Sequence, residues 1–469
     1  MKNKVIDEFL SFFFNHQNRF LSYDILVINM IKANSKEIKK GDVFIAIKGE
    51  EKDGHDYIDE AIANGAELII AERGKYSVSS LLVPDTKSYL REYLTVNEYP
   101  KIKDIKLIGI TGTNGKTTSS YLFYEALKIL NKKVAYIGTI GFYKDEKIKD
   151  LNNTTPGLLE LYELLEECTD CEYVVMEVSS HALSMGRVDT LLFDYVIFTN
   201  LTREHLNYHK TMENYAKAKQ ELFKKIKKNG KAIVNIDDQY ADYFILPENN
   251  NITYGMQDSD YRLLNYDTNS FTIFHEKEYQ FKTKLFGKYN VYNLLTTIIL
   301  LNEENLLDPS VISKLEAPRG RIQKVDEDKM IFVDYAHTPD GVFNVLNAMQ
   351  EIKQGKIYTI LGCGGNRDRE KRKDMGKIAA MYSDYVIFTS DNPRFEDPLE
   401  ILNDMTCQLN VKNFEIIENR EKAIQKGVQI TQKNDILLVL GKGHEDYQII
   451  KDKKIHFDDV EIIKKYILE

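Results

Sequence analysis

Three features of the sequence predict an α/β protein of three domains with mostly parallel sheets. At 469 residues the chain can hold about three domains of ordinary size. Two separate series of apolar runs alternate with helical stretches, the pattern of strands joined by crossover helices. A glycine turn, Gly112-Thr113-Asn114-Gly115, follows one apolar run and opens a helix, placing a phosphate-type loop in the first series.

The first part, residues 1–103, reads as a separable α/β unit. Apolar strands at 43–47 and 67–71 flank a helical stretch around 57–63. Asn64-Gly65 closes that helix, because both residues tolerate the left-handed backbone of a helix end. The run FLSFFF at 9–14 is far too short to cross a bilayer and is expected in a core. Residues 87–103 carry little pattern and read as a linker.

The central part, residues 104–317, starts with the strand 105–110 and the glycine turn. Lys116, Thr117 and Thr118 follow, then an apolar helix over 121–130. Glycines leave backbone N–H groups free to meet phosphate oxygens, and the helix N-terminus adds partial positive charge. Lys116 can reach β- and γ-phosphates, and a threonine hydroxyl can complete a Mg²⁺ shell. The common loop spacing places a glycine where Ile110 stands, so TGTNGKTT is a shorter, narrower form. Strands follow at 133–137, 172–178, 194–199 and 231–236, then an antiparallel excursion over 260–286 and a helix over 291–301.

Chemistry in this part gathers at strand ends. Glu177 closes the apolar strand EYVVMEV, a position that suits either a Mg²⁺ ligand or a solvated end. His205 and His209 follow the next strand and are ligands or plain loop residues. In the helix beyond, Met212, Tyr215, Ala216, Lys219, Leu222, Phe223 and Ile226 form one stripe, apolar except for Lys219. A buried ammonium is costly unless paired or chemically changed. Lys219 therefore reaches solvent, joins a salt bridge, or captures CO₂ as a carbamate whose oxygens sit near Mg²⁺.

The pattern breaks at Ala317-Pro318-Arg319-Gly320 and restarts as the third part, residues 318–469, again doubly wound. Its strands fall at 330–333, 357–361, 385–390 and 436–440. Arg367, the run Asp391-Asn392-Pro393-Arg394 and the run from Gly441 to Glu445 each follow a strand end. Loops at the carboxyl ends of such strands share one crevice, so Arg367, Asn392, Arg394 and Glu445 are expected in one pocket. Two guanidiniums and a carboxylate suit a ligand bearing both carboxylate and ammonium. The rival for Arg394 is a surface ion pair with Glu396 or Asp397.

A net charge of −9 supplies no overall basic field for nucleic acid or a membrane surface, and no apolar run is long enough to span a bilayer. Four cysteines suit a reducing compartment, and the Cys168/Cys171 pair has no second pair to complete a zinc site. A soluble, cytoplasmic, monomeric enzyme is expected.

TGTNGKTT, MEVSSHAL, FTNLTREHLNYH followed by YAKAKQELF, DYAHTPD, GCGGNRD, DNPR and GKGHE occur in this order. The set resembles the Mur ligase family over nearly the whole chain, in the branch that adds the third amino acid of the peptidoglycan stem. The resemblance implies a uridine-binding first domain, a central P-loop domain and a Rossmann-like third domain. It implies that Gly112 to Thr118 hold ATP phosphates, with Lys116 central among them. Thr117 and Glu177 would serve one Mg²⁺ and His205 a second, and Lys219 matches the family's carbamylated lysine. Asn290, Asn293, Arg321, Asp334 and His337 correspond to the adenosine side. Thr154, Thr155, Ser179 and Arg187 match positions for a UDP-linked muramoyl dipeptide, and Ser35 with GDVFIAIKG matches the uridine part. DNPR is the form of relatives that add meso-diaminopimelate, with Arg367, Asp391 to Arg394, Gly441 and Glu445 around the amino acid. Three departures stand out: Asn34-Ser35-Lys36 for Asp-Ser-Arg, an inserted residue in Pro318-Arg319-Gly320-Arg321, and Asn366 in place of an acid.

The expected reaction is a two-step ATP-dependent amide ligation through an acyl phosphate, with positioning supplying most of the rate. Domain closure is expected to bring the reacting groups together. The rivals are a lysine-adding or folylpolyglutamate-type ligase, or a nucleotide-gated regulatory ATPase that ligates nothing.

Overall fold

The structure is a computed structural model and describes residues 31–49, 52–326 and 329–468. The apolar run at 9–14 lies outside them. The described residues form four-, eleven- and six-stranded sheets and a two-stranded hairpin, divided between two compact units.

The first unit holds the described residues up to 106 together with Pro156–Asp170 and Met185–Leu192. Its four strands, Ile31–Lys32, Val43–Ile45, Leu68–Ala71 and Ser79–Leu82, are all parallel. Phe44, Ala46, Ile69 and Ala71 face Ile58 and Ala61 of the helix Ile58–Ala63 and make its core. Asn64 caps that helix, and Gly65 beyond it is left-handed at φ +111°. The stretch 87–103 is not a linker. It folds as helix Thr86–Tyr93, a π turn Leu94–Glu98 and helix Tyr99–Ile102. Asp85 caps the start by accepting from Ser88 N at 2.6 Å, and Leu90, Leu94 and Ile102 are buried. An ion pair of 2.9 Å ties Lys101 to Glu166 of the helix Leu158–Glu167.

In the second unit the eleven-stranded sheet is parallel at its centre and antiparallel at both margins. The loop strand Lys106–Thr111 lies between Phe193–Phe198 and Tyr173–Glu177, deep in the sheet. Such a strand must be apolar on both faces, which Leu107, Ile108 and Ile110 supply. Tyr261–Asp267, Ser270–His275 and Lys277–Lys282 form the antiparallel excursion expected over 260–286. Asn250–Gly255 and the ribbon Gly141–Tyr143 with Lys147–Lys149 are strands that the sequence pattern does not disclose. Helix Lys288–Glu303 buries Leu294, Leu295 and Ile298 against Leu122, Phe123 and Leu127 of helix Lys116–Ile129.

The six-stranded sheet belongs to the same unit, with strand order Gln323–Lys324, Met330–Asp334, Ile436–Leu440, Ile357–Leu361, Tyr385–Phe388, Phe414–Ile416. All pairs are parallel except the first. Alternate residues serve opposite cores: Phe332, Leu438 and Leu440 on one face, Ile331, Val333, Leu437 and Val439 on the other. Helices cover both faces, so the functional residues emerge at the strand ends.

Candidate active site

The loop after Lys106–Thr111 is shaped by two left-handed glycines. Gly112 has φ +152° and Gly115, the helix N-cap, φ +86°. A Cβ on Gly115 would lie 2.6 Å from Asn293 Oδ1, so only glycine fits there. Lys116 folds back to donate to Gly112 O at 2.9 Å and Thr113 O at 2.8 Å, and burial lowers its pKa. The loop's far side is held by Asn200 Oδ1, which accepts from Asn114 N at 2.9 Å.

Glu177 is fully buried at the end of its strand. It accepts from Thr117 Oγ1 at 2.9 Å, Tyr136 OH at 2.5 Å, and Thr139 N and Oγ1 at 2.8 and 3.0 Å. The solvated strand end is thus excluded.

Lys219 is 1% exposed, so it does not reach solvent. Its Nζ donates to Gly112 O at 2.7 Å and lies 4.7 Å from the centre of the Tyr215 ring, and among the described residues no carboxylate lies in ion-pair range. Burial first, and then the charge of Lys116, hold its pKa well below the usual range. The shift favours the uncharged amine over the ammonium.

His205 adopts a left-handed backbone at φ +56°. Its ring packs edge-on to His181 at 4.7 Å and its Nε2 is 3.5 Å from Glu204 Oε2. Burial lowers its pKa, so the imidazole is neutral and has a lone pair to offer. His209 is buried with Nε2 2.9 Å from Ser180 Oγ, a structural hydrogen bond. Glu204 also lies 3.1 Å from His337 Nε2. Its burial alone would raise its pKa, but the hydrogen bond with His337 is the largest of the opposing causes that hold it well down. Sequence reasoning passed over Glu204, Tyr136 and Thr139. Glu204 stands beside His205 in the motif, whereas Tyr136 and Thr139 lie at the end of an apolar strand and give no signal.

A cavity of about 460 Å³ opens beside the loop. Asn114, Gly115, Thr118, Asn290, Asn293, Arg321, Asp334 and His337 all line it, so the loop and the predicted nucleoside residues share one space. Arg321 donates to Thr117 Oγ1 at 3.2 Å and stacks 4.6 Å from the Tyr335 ring centre. Asp334 spends both oxygens on backbone, accepting from Ile322 N and Ala336 N at 2.7 Å each, so it shapes the wall.

In the six-stranded sheet, Asn392 and Glu445 meet: Asn392 Nδ2 donates to Glu445 Oε2 at 2.8 Å. Buried Lys442 is 3.3 Å from the same oxygen. Burial and then Asp391 raise the Glu445 pKa, against Lys442. Asp391 accepts from Asn392 N at 2.6 Å, and a Cβ on Gly441 would lie 2.6 Å from Asp391 Oδ2. Arg394 donates from Nη1 to Gly365 O at 3.0 Å. Neither Arg394 nor Arg367 has a carboxylate within ion-pair distance among the described residues. The surface-pair rival for Arg394 fails, since Glu396 pairs with Arg372 at 2.9 Å and Asp397 caps the next helix. Burial and then the Arg394 charge lower the Arg367 pKa, so the two cations sense each other.

Thr154, Thr155 and Ser179 lie beside Glu177: Thr155 Oγ1 donates to Glu177 O at 2.9 Å, and Thr154 Oγ1 is 3.0 Å from Thr139 Oγ1. Ser179 N donates to Thr155 Oγ1 at 3.0 Å. Ser35 and Arg187 belong to the first unit. Ser35 donates to Glu60 Oε2 at 2.6 Å, and Arg187 Nη2 lies 3.2 Å from Met185 Sδ.

A phosphate loop buttressed by a buried lysine and a buried glutamate, followed by a doubly wound sheet, defines a class of nucleotide-using ligases. Family models for the Mur ligase family catalytic domain, middle domain and glutamate ligase domain match residues 27–102, 110–301 and 320–443. The chain belongs to the Mur ligase family, and it is an ATP-using amide ligase. It is 41% identical over 459 residues to UDP-N-acetylmuramoyl-L-alanyl-D-glutamate–2,6-diaminopimelate ligase of Fusobacterium nucleatum, covering 93% of each chain. The ligase of the same name from Aquifex aeolicus is 40% identical, with 95% of each chain covered. A solved structure bearing that name is 30% identical with a TM-score of 0.65, over 95% of this chain and 97% of the other. MurF ligase from Thermotoga maritima in complex with ADP, 21% identical, shares the fold at a TM-score of 0.66, over 95% of this chain and 98% of that one.

Proposed function

We propose that this chain joins meso-diaminopimelate to the D-glutamate side-chain carboxylate of UDP-N-acetylmuramoyl-L-alanyl-D-glutamate, using ATP, in peptidoglycan synthesis. The observation that carries the choice of amino acid is the pair Arg367 and Arg394, without carboxylate partners among the described residues, on loops at the same sheet edge as Asn392 and Glu445. A ligand whose far end has both carboxylate and ammonium satisfies all four. The relatives from Fusobacterium nucleatum and Aquifex aeolicus are both named as 2,6-diaminopimelate ligases. We read residues 1–103, 104–317 and 318–469 as modules for the UDP substrate, ATP and the amino acid, in a monomer working in the cytoplasm. No described helix is long and apolar enough to cross a membrane.

The glutamate carboxylate attacks the γ-phosphorus of ATP, the bond to the β-phosphate oxygen breaks, and ADP leaves an acyl phosphate. The neutral diaminopimelate amine then attacks the acyl carbon, expels phosphate and gives up one N–H proton to the departing phosphate. Lys116 and the backbone N–H groups of the glycine turn hold the phosphates through both steps. Thr117 and Glu177, an oxygen pair 2.9 Å apart at the loop, would fit Mg²⁺, and His205, which feels the charges of Lys219 and Lys116, would offer a neutral nitrogen. Among the described residues no group of three His, Cys, Asp or Glu gathers. When bound, the cation offsets charge on the transferred oxygens. The Lys219 amine, its pKa held well down by burial, adds CO₂ with loss of a proton to give a carbamate.

Two experiments test this. Phosphate release with the UDP-dipeptide should be faster with meso-diaminopimelate than with L-lysine, and negligible with neither. Preference for lysine rejects the pocket, and acceptor-independent turnover favours the regulatory ATPase. Lys219→Ala should lose at least about 100-fold in kcat, a few kcal/mol, and regain part of it with a short-chain carboxylic acid. Lack of both rescue and CO₂ dependence speaks against the carbamate.

A further inference from the structure

Arg372 is among the largest fully buried side chains in the protein, yet it belongs to no part of the reaction described so far. It lies in the first turn of helix Glu370–Tyr382 with none of its side chain exposed, so it cannot touch a ligand. Its guanidinium grips Glu396 through both oxygens: Nη1 to Oε2 and Nη2 to Oε1, each 2.9 Å. Nη1 also donates to Asp404 Oδ2 at 2.9 Å, on helix Pro398–Thr406, and Nη2 reaches Gly364 O at 3.4 Å.

Glu396 sits two residues past Arg394, and its own carboxylate accepts from Asn366 N in the facing loop. Asn366 answers by accepting from Phe395 N at 3.1 Å through its side chain. Asn366 and Arg394 both hold left-handed backbones, at φ +53° and +54°. Asparagine tolerates that geometry, whereas arginine adopts it at a cost that its surroundings must cover. The Arg394 backbone is clamped on its other side, donating to Ile449 O at 3.1 Å and accepting from Lys451 N at 2.7 Å.

We infer that Arg372 is a positioning residue for amino-acid selectivity: through Glu396 it locks together the two loops that carry Arg367 and Arg394. The inference rests on the diaminopimelate reading of the pocket. The fork matters more than the charge, because a lysine offers no planar pair of N–H groups to hold both carboxylate oxygens. Exposed Arg369, 3.7 Å from Glu396, is a poor substitute. Loosening Glu396 frees the strained turn and misdirects the Arg394 guanidinium, while the phosphate loop and nucleoside cavity stay as they are.

The test is steady-state ligation by the full chain at saturating ATP and UDP-dipeptide, with meso-diaminopimelate and then L-lysine as the varied substrate. Arg372→Lys should raise KM for diaminopimelate by about ten- to a hundredfold, the loss of one to two charge-assisted hydrogen bonds. KM for ATP should hold within about twofold and kcat at saturation within about threefold, because uniform binding alone is lost. kcat/KM for lysine should stay level, so the preference narrows. Glu396→Asp keeps the charge but shortens the arm; it should give the same split, and it decides the matter if Arg372→Lys does not fold. An unchanged diaminopimelate KM in a folded variant overturns the inference, as does an equal loss with both amino acids. A wild-type enzyme that prefers lysine overturns the functional reading itself, and the inference with it.

Discussion

At the scale of single residues, burial decides the protonation of His209 and His444 as it does that of His205. Burial, and then His181, hold His209 down to about 4, and burial, and then Arg321, hold His444 down to about 3, from an ordinary value of 6.5. Between those values and 6.5 the unfolded chain binds protons that the folded chain does not, so stability rises with pH across that window. The urea midpoint should climb from pH 4.5 to about 6.5 and flatten above it, and His209→Gln should lessen the slope. A midpoint that falls over this range contradicts the burial argument. Gly115→Ala forces a Cβ onto Asn293 at φ +86° and should cost about 1–2 kcal/mol while raising KM for ATP. Among residues, those tied to local period were legible in the sequence: Lys219 showed because a cation interrupts a helical stripe. Arg372 did not, since its partners lie 24 and 32 residues away and a charged residue in a charged helix looks solvated.

Elements were legible where pattern and caps agree. The strand–loop–helix was legible because glycines and an apolar run coincide, although its helix starts at Lys116 and not near 121. The segment 87–103 was misread because its helices are short and joined by a π turn, which blurs the 3.6-residue period. Pairing between elements left no trace in the sequence. Helices Arg420–Ile430 and Asp459–Ile467 are joined by a wholly buried pair: Arg420 Nε to Asp459 Oδ1 at 2.8 Å and Nη2 to Oδ2 at 2.7 Å. Arg420 Nη2 also donates to Leu440 O at 3.0 Å, at the strand end before Gly441. Arg420→Met leaves Asp459 buried and unpaired, and should cost about 3–5 kcal/mol by urea unfolding. The double change Arg420→Met/Asp459→Leu should recover most of that. Equal losses in both variants would assign the effect to packing instead.

Over the whole molecule, side chains from the two large sheets meet around the cavity. Asn114 Nδ2 donates to Asp340 Oδ2 at 2.7 Å, Arg321 reaches Thr117, and His337 reaches Glu204. A non-hydrolysable ATP analogue should therefore stabilise these sheets as one body, by about 2.7 kcal/mol at a hundred times its Kd. UDP should act on the unit that holds Ser35. Calorimetry should resolve two transitions, each raised by one ligand, and a single transition raised equally by both would contradict this. The left-handed turn at Arg394 bears on how such enzymes can be re-engineered. Transplanting DNPR alone into a scaffold with another diet would deliver the guanidinium without its bearings. The facing loop, the helix beneath and the hairpin alongside would have to travel as one cassette.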